Sequence, residues 1–220
     1  MEKNKILRLA LSIFLLLLFC QLFRMLITKI TVFFLGYTLF NENLARVLVL
    51  IILTFLIIFI SKNQNISLSL KPDFSRPDFK LSSKILYIFF TICVFIIFIT
   101  TPFITNSVNF EGIFILIGGA LLIPIFEEIL FRGYIWNKLE IEGFKKIHVF
   151  IFTSILFGFW HLGYIDSIML RVPLDNLLFI MVMKIFTCII FGLIIGLARY
   201  KTDNIYLSLL IHILINIFGR

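Results

Sequence analysis

The stretch GIFILIGGALLIPIFEEILF, from Gly112 to Phe131, is twenty residues long and carries no polar side chain except Glu127 and Glu128. That is the length of one crossing of a bilayer core as an α-helix, about 20 residues at 1.5 Å each. A continuous apolar run, without alternation, excludes a transmembrane β-strand. Working outward, comparable runs lie at Leu7 to Phe23, Leu44 to Ile60, Ile85 to Phe103, Ile147 to Tyr164, Leu177 to Ala198 and Ile205 to Phe218. The 220-residue chain is 61% hydrophobic and 15% charged, with mean hydropathy +1.10, where an ordinary soluble domain is roughly 45 to 50% apolar. The expected fold is an all-α polytopic transmembrane helix bundle of about seven spans, bounded by six and eight, in one integral membrane domain over residues 1–220. Ile30 to Phe40 is too short to cross and reads as a re-entrant or interfacial piece, or as a continuation of the first helix.

Twenty Lys and Arg against twelve Asp and Glu give a net charge of +8. In a soluble protein this would suggest nucleic acid as a partner; here it reads as basic loops held at an anionic leaflet, so the expected partner is the lipid bilayer and not nucleic acid. With the N-terminus inside, the inner segments hold Lys3, Lys5, Arg8, Lys62, Lys71, Arg76, Lys80, Lys84, Arg132, Lys138, Lys145, Lys146, Arg199 and Lys201, and the outer ones only Arg24, Lys29, Arg46, Arg171 and Arg220. Fourteen against five predicts N-inside and, for an odd number of spans, C-outside. The Lys71 to Lys84 stretch, with Pro72 and Pro77, reads as a cytoplasmic connector. Met1 to Arg8 followed by Leu9 to Phe19 has the layout of a signal peptide but lacks a small-x-small cleavage triplet, so an uncleaved first span is expected. Cys20, Cys93 and Cys188 fall in apolar runs, without the close pairing of a metal knuckle.

Ionisable groups at bilayer depth cost roughly 2.5 to 3.5 kcal/mol each, so those that persist ask for a function. They are Glu127, Glu128, His161, Lys184 and His212, with Arg132 and Asn216 close by. Lys184 is the least informative, since its side chain can snorkel to the outer interface. Glu128 and Arg132 stand at i and i+4 on one helix face and can neutralise each other. Glu127 then points a quarter-turn away without a cation, as a candidate general base or acid. The plainer alternative is that both glutamates hold helices together through the arginine. His161 closes Phe157-Gly158-Phe159-Trp160-His161, and His212 and Asn216 share a stripe of the last run; each alone is compatible with interhelical hydrogen bonding. Three helices that each bring a polar group into an apolar bundle argue for a shared site. Tyr134 and Trp136 read as an interfacial belt, which puts Glu127 and His212 about 10 to 13 Å below the inner surface and His161 near 20 Å, with the cavity opening inward.

Glu127-Glu128-x-x-x-Arg132, Phe157-x-x-x-His161 and His212-x-x-x-Asn216, in that order on successive late spans, resemble the CAAX protease and bacteriocin-processing (Abi) family of intramembrane proteases. The resemblance covers about residues 112–218, a catalytic core, and leaves the role of residues 1–111 open. It implies hydrolysis of a peptide bond in a peptide or membrane-protein substrate. Glu127 and His161 would activate the water, His212 and Asn216 would donate to the oxyanion, and Glu128 and Arg132 would support the site. No cofactor is expected on this reading. The alternative is Zn2+ held by Glu127, His161 and His212, although the His-Glu-x-x-His helix is missing.

Two other functions compete. One is a non-catalytic membrane regulator or immunity partner. The other is a proton-coupled transporter, against which stand the missing internal repeat and broken-helix pairs. The Ile, Phe, Lys and Asn richness looks like AT-rich bacterial coding, hence a bacterial cytoplasmic membrane and a role in peptide or bacteriocin maturation or immunity.

Overall fold

Seven helices follow one another in the computed structural model, which describes residues 3–72, 81–169 and 172–219. They are α1 (Lys3–Leu35), α2 (Leu39–Asn63), α3 (Leu81–Ile104), α4 (Phe110–Ile141), α5 (Lys146–Met169), α6 (Leu174–Thr202) and α7 (Tyr206–Phe218). The described residues are 87% helical and include no strand. Arg76, Pro77, Lys80, Arg171 and Arg220, which entered the charge asymmetry and the connector, lie outside those residues.

Helices α1 to α6 are each long and apolar enough to cross a membrane. With 13 residues, α7 measures about 20 Å and falls short of a hydrocarbon core of about 30 Å. The bundle is therefore six full spans and a shorter seventh helix, inside the expected range. The ambiguous Ile30 to Phe40 stretch divides: α1 continues to Leu35, Gly36 turns the chain at φ +77°, and α2 starts at Leu39. Thr38 caps α2, its Oγ1 accepting the Asn41 N–H at 3.0 Å.

Successive helices alternate in direction between two ends. One end is basic and tied together by Lys5 to Glu142 at 2.7 Å, Lys146 to Asp203 at 2.5 Å and the Asn137 amide donating to the Ser67 carbonyl at 2.7 Å. At the opposite end the ring of Phe40 meets Phe110 and Phe114. Arg24, Arg132 and Arg199 are not loop charges as the tally had them. They lie within helices and are fully buried, because each guanidinium finds carbonyl or carboxylate partners on neighbouring helices.

Two features of the packing place the site. Helices α5 and α6 meet through small residues four apart, Ser154 against Gly192 and Gly196, and Gly158 against Ile185 and Ile189. A Cβ on Gly158 would stand 2.3 Å from the Ile189 Cγ1 and 3.0 Å from the Ile185 carbonyl oxygen; one on Gly192 would stand 2.8 Å from the Ser154 carbonyl oxygen. Helix α4 changes register twice: Ile117–Leu122 and Ile129–Ile135 are π-helical, and the six α-helical residues between them end on Glu127 and Glu128. Such turns loosen the carbonyl ladder, and neighbours complete it, Asn216 donating to the Gly119 carbonyl and Arg199 Nε to that of Arg132.

Tyr134 and Trp136 do not form an interfacial belt. They are 2% and 0% exposed, with the Tyr134 hydroxyl donating to Gln64 and the Arg199 guanidinium 5.2 Å over the Trp136 ring. Helix α4 runs on to Ile141, which puts Glu127 fourteen residues from that end and His161 fifteen residues from Lys146. The two lie at about 21 and 22 Å by helical rise. The depth difference expected between them disappears.

Candidate functional site

Glu128 and Arg132 pair as their spacing requires, Arg132 Nη1 donating to Glu128 Oε1 at 3.2 Å with both side chains wholly buried. Arg132 Nη2 also donates to the Gly192 carbonyl at 3.1 Å, which also accepts from Ser154 Oγ at 3.0 Å. The arginine therefore anchors α4 where α5 and α6 approach most closely. Glu127, 1% exposed, has no Lys or Arg within ion-pair distance among the described residues. It is nonetheless not without partners. Its Oε1 accepts from the Trp160 indole N–H at 2.9 Å and the Tyr164 hydroxyl at 3.1 Å, because both rings are buried and their polar tips need an acceptor.

Those two rings come from the turn that carries His161. Helix α5 tightens to a 3-10 turn over His161–Tyr164, and carbonyls at this change are met from α1. Gln21 donates to the Trp160 carbonyl at 2.9 Å; Arg24 donates to that of Gly163 and pairs with Asp166 at 2.9 Å. The Arg24 guanidinium also lies 4.7 Å over the Tyr164 ring. His161 Nδ1 is 2.8 Å from the Phe157 carbonyl oxygen. A carbonyl only accepts, so in the neutral ring the proton sits on Nδ1 and Nε2 keeps its lone pair. The Phe157 side chain supplies the wall behind: its ring meets His161 and His212 edge-to-face at 5.0 and 5.5 Å and has the Arg132 guanidinium 4.5 Å above it.

From α7, His212 reaches both glutamates. Its Nδ1 is 3.0 Å from Glu128 Oε1 and its Nε2 3.6 Å from Glu127 Oε2. The Asn216 amide, one turn on, spends one N–H on the Gly119 carbonyl at 3.1 Å and retains a second donor. Glu127, His161, His212 and Asn216 line one chamber of about 210 Å³, and the last three also line an adjoining cleft of about 660 Å³. Glu128 and Arg132 stand behind it. The cleft runs to Leu39, Ile115 and Gly219, at the end opposite the basic one. An opening toward the basic end is thus overturned: Phe131, Tyr134 and Trp136 fill the bundle on that side.

Glu127, His161 and His212 are neighbours, yet among the described residues no group of three or more His, Cys, Asp or Glu is arranged to hold a metal ion. Both Nδ1 atoms are engaged with protein oxygens, and one Glu127 oxygen already accepts two hydrogen bonds.

A family model described as Type II CAAX prenyl endopeptidase Rce1-like matches residues 109–218, half of the chain. The chain belongs to this family. No curated protein and no solved structure matches it. With its six apolar spans it is an integral membrane protein of the CAAX-type intramembrane protease class, the family that the three motifs resemble.

Local spacing did not show Trp160 and Tyr164 as partners of Glu127, nor Gln21 and Arg24 as supports. The signal that was present is an indole and a phenol placed one before and three after a candidate histidine. Arg46 and Lys184 also line the chamber. The first had read as a loop charge and the second as a snorkelling side chain.

Proposed function

We propose that this protein is an intramembrane endopeptidase that hydrolyses a peptide bond with a water held between Glu127 and His161. The observation that carries the reading is the convergence of Glu127, His161, His212 and Asn216, from three helices, on one buried chamber. Glu127 takes a proton from the water as its oxygen bonds to the carbonyl carbon, while the His161 Nε2 lone pair orients the second O–H. The oxyanion of the tetrahedral intermediate receives hydrogen bonds from Asn216 and from His212 Nε2. To donate there His212 needs a proton on Nε2 besides the one directed at Glu128. With it, the two glutamates, Arg132 and His212 sum to zero charge, which suits a buried cluster. Glu127 then passes its proton to the leaving amine, and the C–N bond breaks to give a carboxylic acid and an amine. Trp160 and Tyr164 fix the carboxylate by holding one oxygen and leaving the other to the water.

The reading is metal-free, supported by the finding that among the described residues no group of three or more His, Cys, Asp or Glu is arranged to hold a metal ion. Glu127→Gln keeps shape and removes the base, so it should abolish peptide cleavage while the protein inserts and purifies normally. Prolonged dialysis of the wild type against a chelator should leave cleavage unchanged. Retained cleavage in the variant refutes the assignment; loss on chelation with recovery on adding zinc makes Glu127, His161 and His212 ligands.

The substrate class is a peptide or membrane protein, with maturation of a bacterial signalling peptide or bacteriocin, or immunity to one, as the setting. We place the basic end in the cytoplasm of a bacterial cell, N-terminus inside. The chamber then communicates with the outer face. In a protein with Cys20, Cys93 and Cys188 replaced, a cysteine at Lys145 should resist a membrane-impermeant thiol reagent applied to intact cells and one at Arg220 should react. Labelling at Lys145 inverts the topology.

A further inference from the structure

The chamber holds two cations that the hydrolysis proposed above does not use. Arg46 of α2 and Lys184 of α6 line both the chamber and the cleft leading to it. Lys184 borders the chamber that holds Glu127 and His161, and among the described residues no carboxylate stands within ion-pair distance of it. Arg46 pairs with Glu42 one turn before it, its side chain is 13% exposed, and its Nε is buried with no hydrogen-bond partner. Glu127, which lines the same chamber, has neither cation within ion-pair distance. An uncompensated ammonium beside an underused guanidinium, in low-dielectric surroundings, is costly unless a ligand brings the opposite charge.

We propose that Arg46 and Lys184 bind a carboxylate of the substrate peptide close to the scissile bond. The inference deepens the endopeptidase reading and rests on it for the identity of the ligand as a peptide. A rounded chamber of about 210 Å³ is about 7 Å across, the reach of two extended residues at about 3.5 Å each. The carboxylate therefore lies within two residues of the bond that is cut. Arg46 supplies a directed N–H fork and Lys184 a point charge. The group is either the C-terminal carboxylate or an Asp or Glu side chain.

Three short probes separate these sources: acetyl-Phe-Leu with a free carboxylate, the same dipeptide as its amide, and acetyl-Phe-Asp-amide. Binding to the full-length protein in detergent is read from tryptophan emission, since Trp160 lies against Glu127. At least one carboxylate probe should bind about tenfold or more tighter than the neutral amide, as a charge-assisted contact implies. Whichever binds tightly identifies the source. Lys184→Met should bring the ratio to about one and Lys184→Arg should restore it. Lys184 is the residue to change first, because Arg46 is already paired with the buried Glu42 and removing it risks the fold. Equal binding of all three probes, no binding of any, or a ratio unaffected by Lys184→Met overturns the proposal. A wild type that shows the Lys184-dependent preference yet cuts no peptide would instead refute the endopeptidase reading and leave the anion site standing.

Discussion

Helices α3 and α4 are both apolar enough to cross a membrane, yet in an apolar stretch of 18 residues in each, 6% of the first and 56% of the second is buried inside the protein. Helix α3 turns Ile88, Phe95 and Ile96 outward, each more than half exposed. Its Thr91, Thr100 and Thr101 hydroxyls donate to carbonyls of their own helix four residues earlier. Helix α4 carries two glutamates, an arginine and a loosened carbonyl ladder, none of which it can satisfy alone. Hydropathy tells which segments cross; unsatisfied polarity and small residues tell which of them sits at the centre. A helix that completes its own hydrogen bonds is free to face lipid.

The contrast is broken most sharply by stranding a charge in α4. Glu128→Gln or Arg132→Ala leaves its former partner buried without a counter-charge, and should lower unfolding stability by about 3 to 5 kcal/mol, read as a fall in the detergent unfolding midpoint together with lost yield. Unchanged stability would show that the 3.2 Å pair does not hold the helix. A smaller loss, about 1 to 3 kcal/mol, is expected for Gly192→Ala, whose new methyl meets the Ser154 carbonyl oxygen at 2.8 Å. It should be detectable in the same unfolding measurement and accompanied by weaker activity, since the same glycine carbonyl receives Arg132. The smallest effect belongs to α3: Phe95→Leu, at a side chain 65% exposed, should stay within about 0.5 kcal/mol of wild type. A larger change there would mean that a second protein surface, and not lipid, covers that face.

Much of this was legible from residue spacing. Glu128 and Arg132, Phe157 and His161, and His212 and Asn216 each stand one turn apart, and each pair acts from one helix face. Contacts made at long sequence separation were not. Gln21 meets Trp160 across 139 residues and Tyr164 meets Glu127 across 37, and no periodicity encodes which helix lies beside which. Tyr134 and Trp136 misled for a related reason. Their amphipathic rings suit a headgroup region, but here the Gln64 side chain and the Arg199 guanidinium give them polar company in the interior. The buried arginines were mistaken for loop charges because composition weights all guanidinium groups alike, whereas carbonyls freed by irregular turns are what allow one to stay inside.

The two π turns of α4 have a genetic corollary. Each accommodates one residue more than an α-helical path would, and one residue is about 100° of rotation about the helix axis. The glutamate pair is thus aimed by the length of the chain on either side of it as much as by its side chains. Loss of a single codon within Ile117–Leu122 or Ile129–Ile135 removes that spare residue and lets the turn close to α-helix with the flanking faces still directed at their neighbours. The same loss within the α-helical Ile123–Glu128 segment, which has no residue to spare, turns one side of the helix by about 100° against the other. Both deletions leave hydropathy and membrane insertion almost untouched, so the position of a gap in this helix, more than its presence, decides whether the glutamate pair still meets the His161 turn.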